Sequence, residues 1–320
     1  MKLIIVGFGN IGRGLVRSLI DNGAEVRRQG FDLKVVAVCE VKGCVVDVNG
    51  LDLRKLLDGP VEWGKAKTLD VISSVSADVV VELTPGNVES GEPGLSHMFA
   101  ALNAKKHVVT SNKSPLAVAY ARLVDEALKN GVSLKYEATV GGAIPIISCC
   151  EKELQGNRIR NIYGIMNGTT NYILTKMDEE GVDFKSALAE AQQLGYAETN
   201  SSYDISGLDT ASKVLILGNA LMDTKLSMKE LSVSGIENIS AEAMEVAKEY
   251  GYTIKLIGDV VRREVAPRLV PLDHPLNVGG SLNAILVETD LAGELTFIGY
   301  GAGPKQTSSA LISDILTVAR

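Results

Sequence analysis

Leu3-Ile4-Ile5-Val6 is a wholly apolar run at the start of the 320-residue chain, and Gly7-Phe8-Gly9-Asn10-Ile11-Gly12 follows it directly. An amphipathic segment, Arg13 to Asn22, comes next. A continuous apolar run of this length predicts a buried strand, and an amphipathic segment predicts a helix. The chain is therefore predicted to begin with a strand, a glycine turn and a helix.

The three glycines of this turn match the G-x-G-x-x-G pattern of a dinucleotide-binding loop. Gly7 allows the tight turn, Gly9 lets a pyrophosphate approach the backbone, and Gly12 lets the helix pack closely on the sheet. The start of the helix offers N–H groups and a positive dipole end to the phosphates. A turn that needs glycine only for its backbone conformation is the alternative. The predicted cofactor residues are Gly7, Phe8, Gly9, Asn10, Ile11 and Gly12.

The composition is that of a globular protein with a sizeable core, since 46% of the residues are hydrophobic and 22% are charged. A net charge of −7 disfavours nonspecific binding to nucleic acid or to an anionic membrane. No apolar run approaches the length of a membrane span, and no signal peptide precedes the first strand, which predicts a cytoplasmic protein. The cysteines have no metal-binding spacing and are expected to be reduced and mostly buried: Cys39, Cys44, Cys149 and Cys150.

A second strand is predicted over Leu33 to Cys39, and it ends at Glu40. An acidic side chain at this point can hydrogen-bond the ribose hydroxyls of adenosine and repel the 2′-phosphate of NADP. We therefore predict NAD as the cofactor, with NADP possible because Lys42 lies close by. The separation from the glycines is longer than usual, and a surface glutamate at a strand end is the alternative.

Two further apolar strands, Asp78 to Leu83 and Val108 to Thr110, are predicted to end at the same edge of the sheet. The carboxyl ends of parallel strands form the ligand crevice in this architecture. Thr84 and Pro85 follow the first of these strands and are predicted to contact the cofactor near its nicotinamide ribose. A threonine that only initiates a turn before proline is the alternative.

Ser111, Asn112 and Lys113 follow the second of these strands. We predict that Ser111 and Asn112 contact the cofactor and that Lys113 polarises a substrate carbonyl. The alternative for Lys113 is a solvated lysine at a helix start, where its positive charge would oppose the helix dipole. That misfit favours a functional role.

A glycine loop, Val140-Gly141-Gly142, follows a predicted strand over Leu134 to Ala138. Backbone carbonyl groups in such a loop, with Glu137 beside them, could hold a monovalent cation. The alternative is a glycine turn that caps the helix containing Cys149 and Cys150.

The pattern changes in the second half, where two pairs of antiparallel strands are predicted between residues 253 and 300. The sequence predicts an α/β fold, with an N-terminal doubly wound parallel sheet of the Rossmann type and a second α+β domain on a mixed or antiparallel sheet. The dinucleotide-binding domain is predicted to span residues 1–132, completed by a C-terminal helix at 304–320. The substrate-binding and dimerisation domain is predicted to span residues 133–303.

One helix of the second half carries two charges among apolar residues. Asp209 and Lys213 are four positions apart, so they share a helix face, while Val214 to Leu217 indicate that much of the helix is buried. A charged pair on a mostly buried helix is a candidate catalytic site. The alternative is structural, because Ser206 to Asp209 fits a capping box and Lys213 would then be an ordinary i,i+4 partner.

In this order, the motifs resemble homoserine dehydrogenase over nearly the whole chain. One departure is clear: after Tyr196-Ala197-Glu198 the family usually continues with proline and aspartate, whereas this chain has Thr199-Asn200-Ser201-Ser202. The segments that carry the resemblance are the N-terminal glycine motif, His107 to Lys113, Glu137 to Ile147, Asn167 to Leu174, Gly207 to Lys213, His274 to Leu276 and Gly301 to Gly303.

The resemblance implies reversible hydride transfer between L-homoserine and L-aspartate 4-semialdehyde with a nicotinamide cofactor, in threonine and methionine biosynthesis. It places Lys213 and Lys113 around the reacting oxygen, with Asp209 near Lys213. Glu198 is implied to bind the substrate amino group, and Gly303 joins the cofactor residues. The implied substrate-binding residues are Glu198, Asp204, Thr169, Gly168 and Asn167.

The resemblance also implies a sodium site at Glu137, Val140 and Gly142, and a homodimer formed through the second domain. The chain has room neither for an aspartate kinase domain nor for a C-terminal regulatory domain, so threonine feedback through such a domain is not expected. Two other functions remain open from the residues: an acylating aldehyde dehydrogenase with Cys149 or Cys150 as nucleophile, and a non-catalytic NAD sensor.

Overall fold

The computed structural model describes residues 1–319, which form two compact units. The first unit comprises Met1–Gly142 together with residues 303–319, and the second is Ala143–Ala302. This division lies later than the sequence-based boundary at residue 132. The difference arises because Leu134–Lys135 pairs with the first sheet, and the Glu137 backbone N–H donates to Asp314 of the C-terminal helix at 2.9 Å.

Each unit contains one six-stranded sheet. The strands of the first sheet are β1 (Lys2–Val6), β2 (Lys34–Glu40), β3 (Gly43–Val46), β4 (Val79–Glu82), β5 (His107–Thr110) and β6 (Leu134–Lys135). Those of the second are β7 (Ile159–Ile165), β8 (Ser232–Val233), β9 (Tyr252–Asp259), β10 (Glu264–Pro271), β11 (Leu282–Thr289) and β12 (Glu294–Tyr300).

The helices connect these strands and flank the sheets. In the N-terminal part they are α1 (Asn10–Asp21), α2 (Gly23–Arg28), α3 (Leu53–Asp58), α4 (Thr68–Ser74), α5 (Gly94–Asn103) and α6 (Lys113–Asn130). The remainder are α7 (Ile146–Lys152), α8 (Gly168–Glu180), α9 (Phe184–Gln193), α10 (Ser202–Ile205), α11 (Leu208–Leu221), α12 (Ala241–Glu249) and α13 (Pro304–Val318). Within residues 1–319, no helix is both long and apolar enough to cross a bilayer.

The first sheet has the strand order β3-β2-β1-β4-β5-β6. All neighbours are parallel except β3, which runs antiparallel to β2. The chain moves outward from β1 on one side and then returns to β4 on the other, so the strand order reverses between β1 and β4. Ligands bind at such a switch point, outside the carboxyl ends of the strands. The predicted doubly wound parallel sheet is confirmed.

The apolar start of the chain forms the centre of this sheet. Leu3, Ile4 and Ile5 are fully buried because β1 has neighbouring strands on both edges and helices on its faces. Leu15 and Leu19 recur at helical spacing on α1 and pack into the same core. The amphipathic pattern after the glycines thus places α1 directly against the sheet.

The second sheet has the order β12-β11-β7-β9-β10-β8 and is antiparallel except between β10 and β8. The predicted strand pairs of the second half and its mixed sheet are confirmed. Gly258 of β9 lies beneath α11, where a Cβ atom would approach Val214 at 2.6 Å and Thr210 at 2.8 Å. The missing side chain therefore lets α11 lie directly on the central strands.

One predicted strand is shorter in the structure than the sequence indicates. The predicted strand over Leu134 to Ala138 ends at Lys135, and a 3-10 turn at Glu137–Thr139 follows. Helix α6 begins at Lys113, where Asn112 caps it and Pro115 fits the first turn. The C-terminal helix predicted from residue 304 is α13, which begins at Pro304. The helical prediction around Cys149 and Cys150 is confirmed.

Candidate functional site

The glycine turn of the first unit is shaped by contacts that exclude side chains. A Cβ atom on Gly12 would lie 2.2 Å from the Gly7 carbonyl oxygen, and one on Gly7 would lie 2.8 Å from the Leu83 backbone. Gly7 also has a φ of +97°, which favours glycine. By contrast, no atom lies within 4 Å of a Cβ built on Gly9. That open space at the N-cap of α1 fits the close approach of a phosphate group.

The predicted cofactor residues Phe8, Asn10 and Ile11 occupy this turn and the start of α1. Phe8 is buried, with its ring 6.4 Å from that of Trp63 and the Arg13 guanidinium 5.2 Å from its centroid. Asn10 is exposed and Ile11 is half-buried. The Phe8 side chain thus anchors the turn.

Glu40 reaches back to the glycine turn. Its Oε1 accepts from the Phe8 backbone N–H at 2.6 Å, and its Oε2 accepts from the Val41 N–H at 3.1 Å. The carboxylate is therefore held beside the turn rather than projecting freely from a strand end. Lys42, next but one along the chain, is exposed.

The ends of β4 and β5 bring two predicted cofactor loops together. Thr84 is half-buried and Pro85 is exposed, while Asn112 is buried and Ser111 half-buried. Both loops hydrogen-bond Glu82, a fully buried acid that sequence reasoning missed as a functional residue. The only sequence signal was an acid ending a run of three valines in a buried strand.

The remaining predicted residues of the first unit lie at helix ends or in the glycine loop. Lys113 is the first residue of α6, and Gly303 is the N-cap of α13. Glu137 and Val140 are buried, and Gly142 has a φ of +56° that turns the backbone after them.

The second unit contains a buried charged cluster on α11. The Lys213 Nζ donates to Asp209 Oδ2 at 2.6 Å and to the Met166 carbonyl oxygen at 2.5 Å. Lys213 and Asp209 are each 6% exposed. A lysine ammonium has three N–H groups, and no acceptor within residues 1–319 takes the third one.

Asn167 connects this pair to a second acid. Its Nδ2 donates to Asp209 Oδ2 and to Asp204 Oδ1, both at 2.8 Å, while its Oδ1 accepts from the Thr170 N–H and caps α8. The structure thus brings together four predicted site residues from three elements. The capping-box interpretation of Asp209 is wrong, because Gly207 is the N-cap of α11 and no side chain caps that helix.

The other predicted substrate residues lie in the first turn of α8 and in the loop after α9. The Thr169 hydroxyl donates to the Tyr196 carbonyl oxygen at 2.8 Å, and the Tyr196 ring stacks on Tyr172 at 4.5 Å. A Cβ on Gly168 would lie 2.7 Å from the Ser281 carbonyl oxygen, so this residue packs tightly. The Glu198 side chain is exposed and makes no hydrogen bond or ion pair within residues 1–319.

Lys255 of β9 is a buried lysine that the sequence reasoning did not identify. Its Nζ donates to Asn171 Oδ1 at 3.1 Å, to Thr175 Oγ1 at 3.3 Å and to the Val278 carbonyl oxygen at 2.9 Å. Burial lowers its pKa to about 8, against the opposing charges of Asp178 and Glu179. A polar residue within an otherwise apolar strand was the available signal.

Comparison with known proteins relates both units to one family. The model of the homoserine dehydrogenase family matches residues 145–316, and that of the homoserine dehydrogenase NAD-binding domain matches residues 7–137. A homoserine dehydrogenase of Methanocaldococcus jannaschii is 48% identical, over 99% of this chain and 98% of the relative. The chain belongs to the homoserine dehydrogenase family.

Two further relatives agree with this assignment. An NAD(+)-dependent homoserine dehydrogenase of Pseudomonas canavaninivorans is 37% identical, over 99% of this chain and 96% of its own length. The crystal structure of a putative homoserine dehydrogenase from Archaeoglobus fulgidus superposes with a TM-score of 0.93 at 40% identity, covering 99% of both chains. Membership of this family makes the chain a nicotinamide-dependent oxidoreductase, and it supports neither an acylating aldehyde dehydrogenase nor a non-catalytic sensor.

Proposed function

We propose that this protein interconverts L-homoserine and L-aspartate 4-semialdehyde by hydride transfer, with NAD as the preferred cofactor. The observation that carries the proposal is the buried Lys213–Asp209 pair, held by Asn167 in a chain of this family. A buried ammonium with one N–H group left over is suited to a polar atom of a substrate. The reaction needs such a group, because an alcohol loses its hydroxyl proton as it becomes an aldehyde.

The residues of the first unit fit a nicotinamide dinucleotide. The open space at Gly9 and the start of α1 would receive the pyrophosphate, and Glu40 would bind the adenosine ribose. Thr84, Pro85, Ser111, Asn112 and Gly303 are proposed to line the nicotinamide end. When bound, the nicotinamide ring accepts a hydride from the alcohol carbon and returns it in the reverse direction.

Lys213 is proposed to handle the proton of the reacting oxygen. In aldehyde reduction its ammonium donates a proton to the oxygen, and in alcohol oxidation its neutral amine accepts one. Asp209 and the Met166 carbonyl group hold the Nζ in place, so the orientation of its remaining N–H group is fixed. Lys113 is proposed as a second cation at the reacting oxygen, where it would stabilise developing negative charge.

Substrate recognition is assigned to further residues of the second unit. Glu198 is proposed to bind the substrate ammonium group, because its exposed carboxylate has no partner within residues 1–319. Asp204, Thr169, Gly168 and Asn167 are proposed to complete the substrate site.

A monovalent cation, sodium by resemblance, is proposed at Glu137, Val140 and Gly142. The buried Glu137 carboxylate and the carbonyl groups of a glycine loop are hard oxygen ligands of the type that such cations bind. Its role would be structural, holding the loop that ends the first unit.

A homodimer formed through the second unit is also proposed. The strand register places Ile298 of β12 on the same sheet face as Ala284 and Ile165, which belong to an apolar cluster. Ile298 is 52% exposed and Tyr300, two residues on, is 56% exposed. An apolar sheet face that extends to exposed residues favours contact with a second copy.

The first prediction tests the cofactor preference. Glu40→Gln should narrow the ratio of kcat/KM for NAD over NADP by about fivefold or more, because unit charges about 4 Å apart repel by roughly 1–4 kcal/mol near a protein surface. Steady-state assays with both cofactors measure the ratio. Lys42→Ala is the matched control and should raise the ratio of kcat/KM for NAD over NADP. A native enzyme that is more efficient with NADPH than with NADH would contradict the assignment of Glu40.

The second prediction concerns the proton. Lys213→Ala should reduce kcat on the order of a hundredfold or more while NADH affinity stays near normal. Lys113→Ala should also reduce kcat, and the double variant should lose less than the product of the two losses. Lys255→Met removes the other buried lysine of the unit and should lower the Tm with a much smaller loss of turnover. Wild-type turnover of homoserine by Lys213→Ala would place the proton acceptor elsewhere.

The third prediction concerns the cation. Turnover should be higher in sodium chloride than in choline chloride at equal ionic strength, because a bound cation holds the glycine loop. Glu137→Gln should remove most of this difference, with the Tm in each salt as the structural readout. Equal turnover in the two salts for the native enzyme would show that no cation acts here.

The fourth prediction concerns assembly. The native protein should have the mass of a dimer by light scattering, and Ile298→Arg should shift it toward the monomer by burying an unpaired charge at the contact. Leu128→Arg changes an equally apolar residue, 73% exposed on α6 of the first unit, and should leave the mass unchanged. A dimer unaffected by Ile298→Arg would place the contact elsewhere.

A further inference from the structure

Glu82, the last residue of β4, is a carboxylate with no exposed surface. Its Oε1 accepts from the Thr84 backbone N–H at 3.1 Å and from the Thr84 hydroxyl, and its Oε2 accepts from Asn112 Nδ2 at 3.1 Å. All of these partners donate. A carboxylate satisfies them together, whereas an amide of the same shape can accept through only one of its two terminal atoms.

Asn112 connects the Glu82 carboxylate to the start of α6. Its Nδ2 faces Glu82, so its Oδ1 points the other way and accepts from the Ser114 N–H at 3.2 Å, which caps the helix. Lys113 is the first residue of that helix. The charge of Glu82 therefore sets the amide orientation of Asn112, and that orientation sets the first turn that carries Lys113.

The surrounding backbone is shaped to fit these side chains. A Cβ on Gly94 would lie 2.5 Å from Asn112 Nδ2 and 3.1 Å from Glu82 Oε2, and a Cβ on Gly86 would lie 2.4 Å from Asn112 Oδ1. Glycine at both positions leaves room for the hydrogen bonds and encloses them. His97 Nδ1 lies 3.5 Å from Glu82 Oε1 on the remaining side.

The Thr110 hydroxyl connects the backbone at the ends of the same two strands. The Thr110 hydroxyl donates to the Glu82 carbonyl oxygen at 2.9 Å and accepts from the Asn112 N–H at 2.9 Å. The ends of β4 and β5 are therefore held at a fixed position relative to each other. The Glu82 carboxylate then orients the first residues of both loops through Thr84 and Asn112.

We propose that Glu82 is a positioning residue that sets Thr84 for the cofactor and, through the Asn112 cap, Lys113 for the reacting oxygen. This inference rests on the proposed function, in which Thr84 and Lys113 hold those roles. Glu82 itself is not assigned a contact with substrate or cofactor. Its effect on turnover comes through the geometry of the two loops.

The test is an exchange of carboxylate and amide between two positions. Glu82→Gln should place an amide N–H₂ against that of Asn112, so either this hydrogen bond or the helix cap is lost. In the double variant, Asn112→Asp provides a carboxylate oxygen that accepts from the new amide N–H₂ at position 82. Its other carboxylate oxygen still accepts from the Ser114 N–H. The single Asn112→Asp variant instead sets two carboxylates against each other. The four proteins form a double-mutant cycle.

We expect Glu82→Gln to reduce kcat by about ten- to a hundredfold, because a small misplacement of reacting groups has effects of this size. The Tm should fall as well, and the double variant should regain most of the Tm and a large part of kcat. Ser240→Ala is the control for a lost helix cap, since the Ser240 hydroxyl accepts from the Ala243 N–H at 3.2 Å and caps α12. It should lower the Tm and leave kcat unchanged.

Native turnover by Glu82→Gln with a Tm loss like that of Ser240→Ala would overturn the proposal, because Glu82 would then be only structural. A double variant no better than Glu82→Gln in both readouts would also overturn it. If Glu82→Gln does not fold, recovery of a folded, active double variant supports the proposal, and failure of both contradicts it. Absence of homoserine turnover in the native protein would instead contradict the proposed function, while the Tm values of the cycle would still test the pairing.

Discussion

The close approach of Gly12 to the Gly7 carbonyl oxygen is the contact on which the first unit depends. A Cβ at Gly12 would lie 2.2 Å from that oxygen, so α1 can follow β1 after a turn of only three residues because no side chain is present at Gly12. This contact aims the start of α1 at the strand ends, where Glu40 and the β4 and β5 loops converge. A phosphate site made from backbone needs this geometry, since its ligands are N–H groups whose directions the fold alone determines.

The two units contribute different kinds of chemical groups to the proposed function. In the first, the turn presents backbone groups and a small number of side chains hold the loops in place. In the second, Lys213, Asp209 and Asn167 form a buried set in which nearly every polar atom has a partner. Buried charges are stable only when they are paired and hydrogen-bonded, so α11 needs both Asn167 and the Met166 carbonyl group. Such pairing leaves little freedom in where the Lys213 Nζ lies.

Most of the fold could be predicted from the sequence because apolar runs and glycines act locally. Partners distant in sequence could not be predicted: the contact of Glu82 with Asn112 spans 30 positions, and that of Lys255 with Asn171 spans 84. The same holds for the contact that joins the segment after β6 to α13, in which the Glu137 N–H bonds Asp314 across 177 positions. Asp209 and Lys213 were recognisable because their partnership follows from helical spacing, although the cap at Gly207 was not.

The stacking of Tyr196 on Tyr172 has a consequence for how this loop can change during evolution. The stack and the hydrogen bond from Thr169 to the Tyr196 carbonyl oxygen hold the loop ahead of Glu198. Gln192 Nε2 also donates to the carbonyl oxygens of Glu198 and Thr199, at 3.3 and 3.2 Å. The unusual Thr199-Asn200-Ser201-Ser202 stretch thus begins at a residue that is held by its backbone, and only Ser201 of the four is buried. Because these contacts use backbone oxygens of the loop, its exposed side chains can change in sequence without displacing α8 or α9.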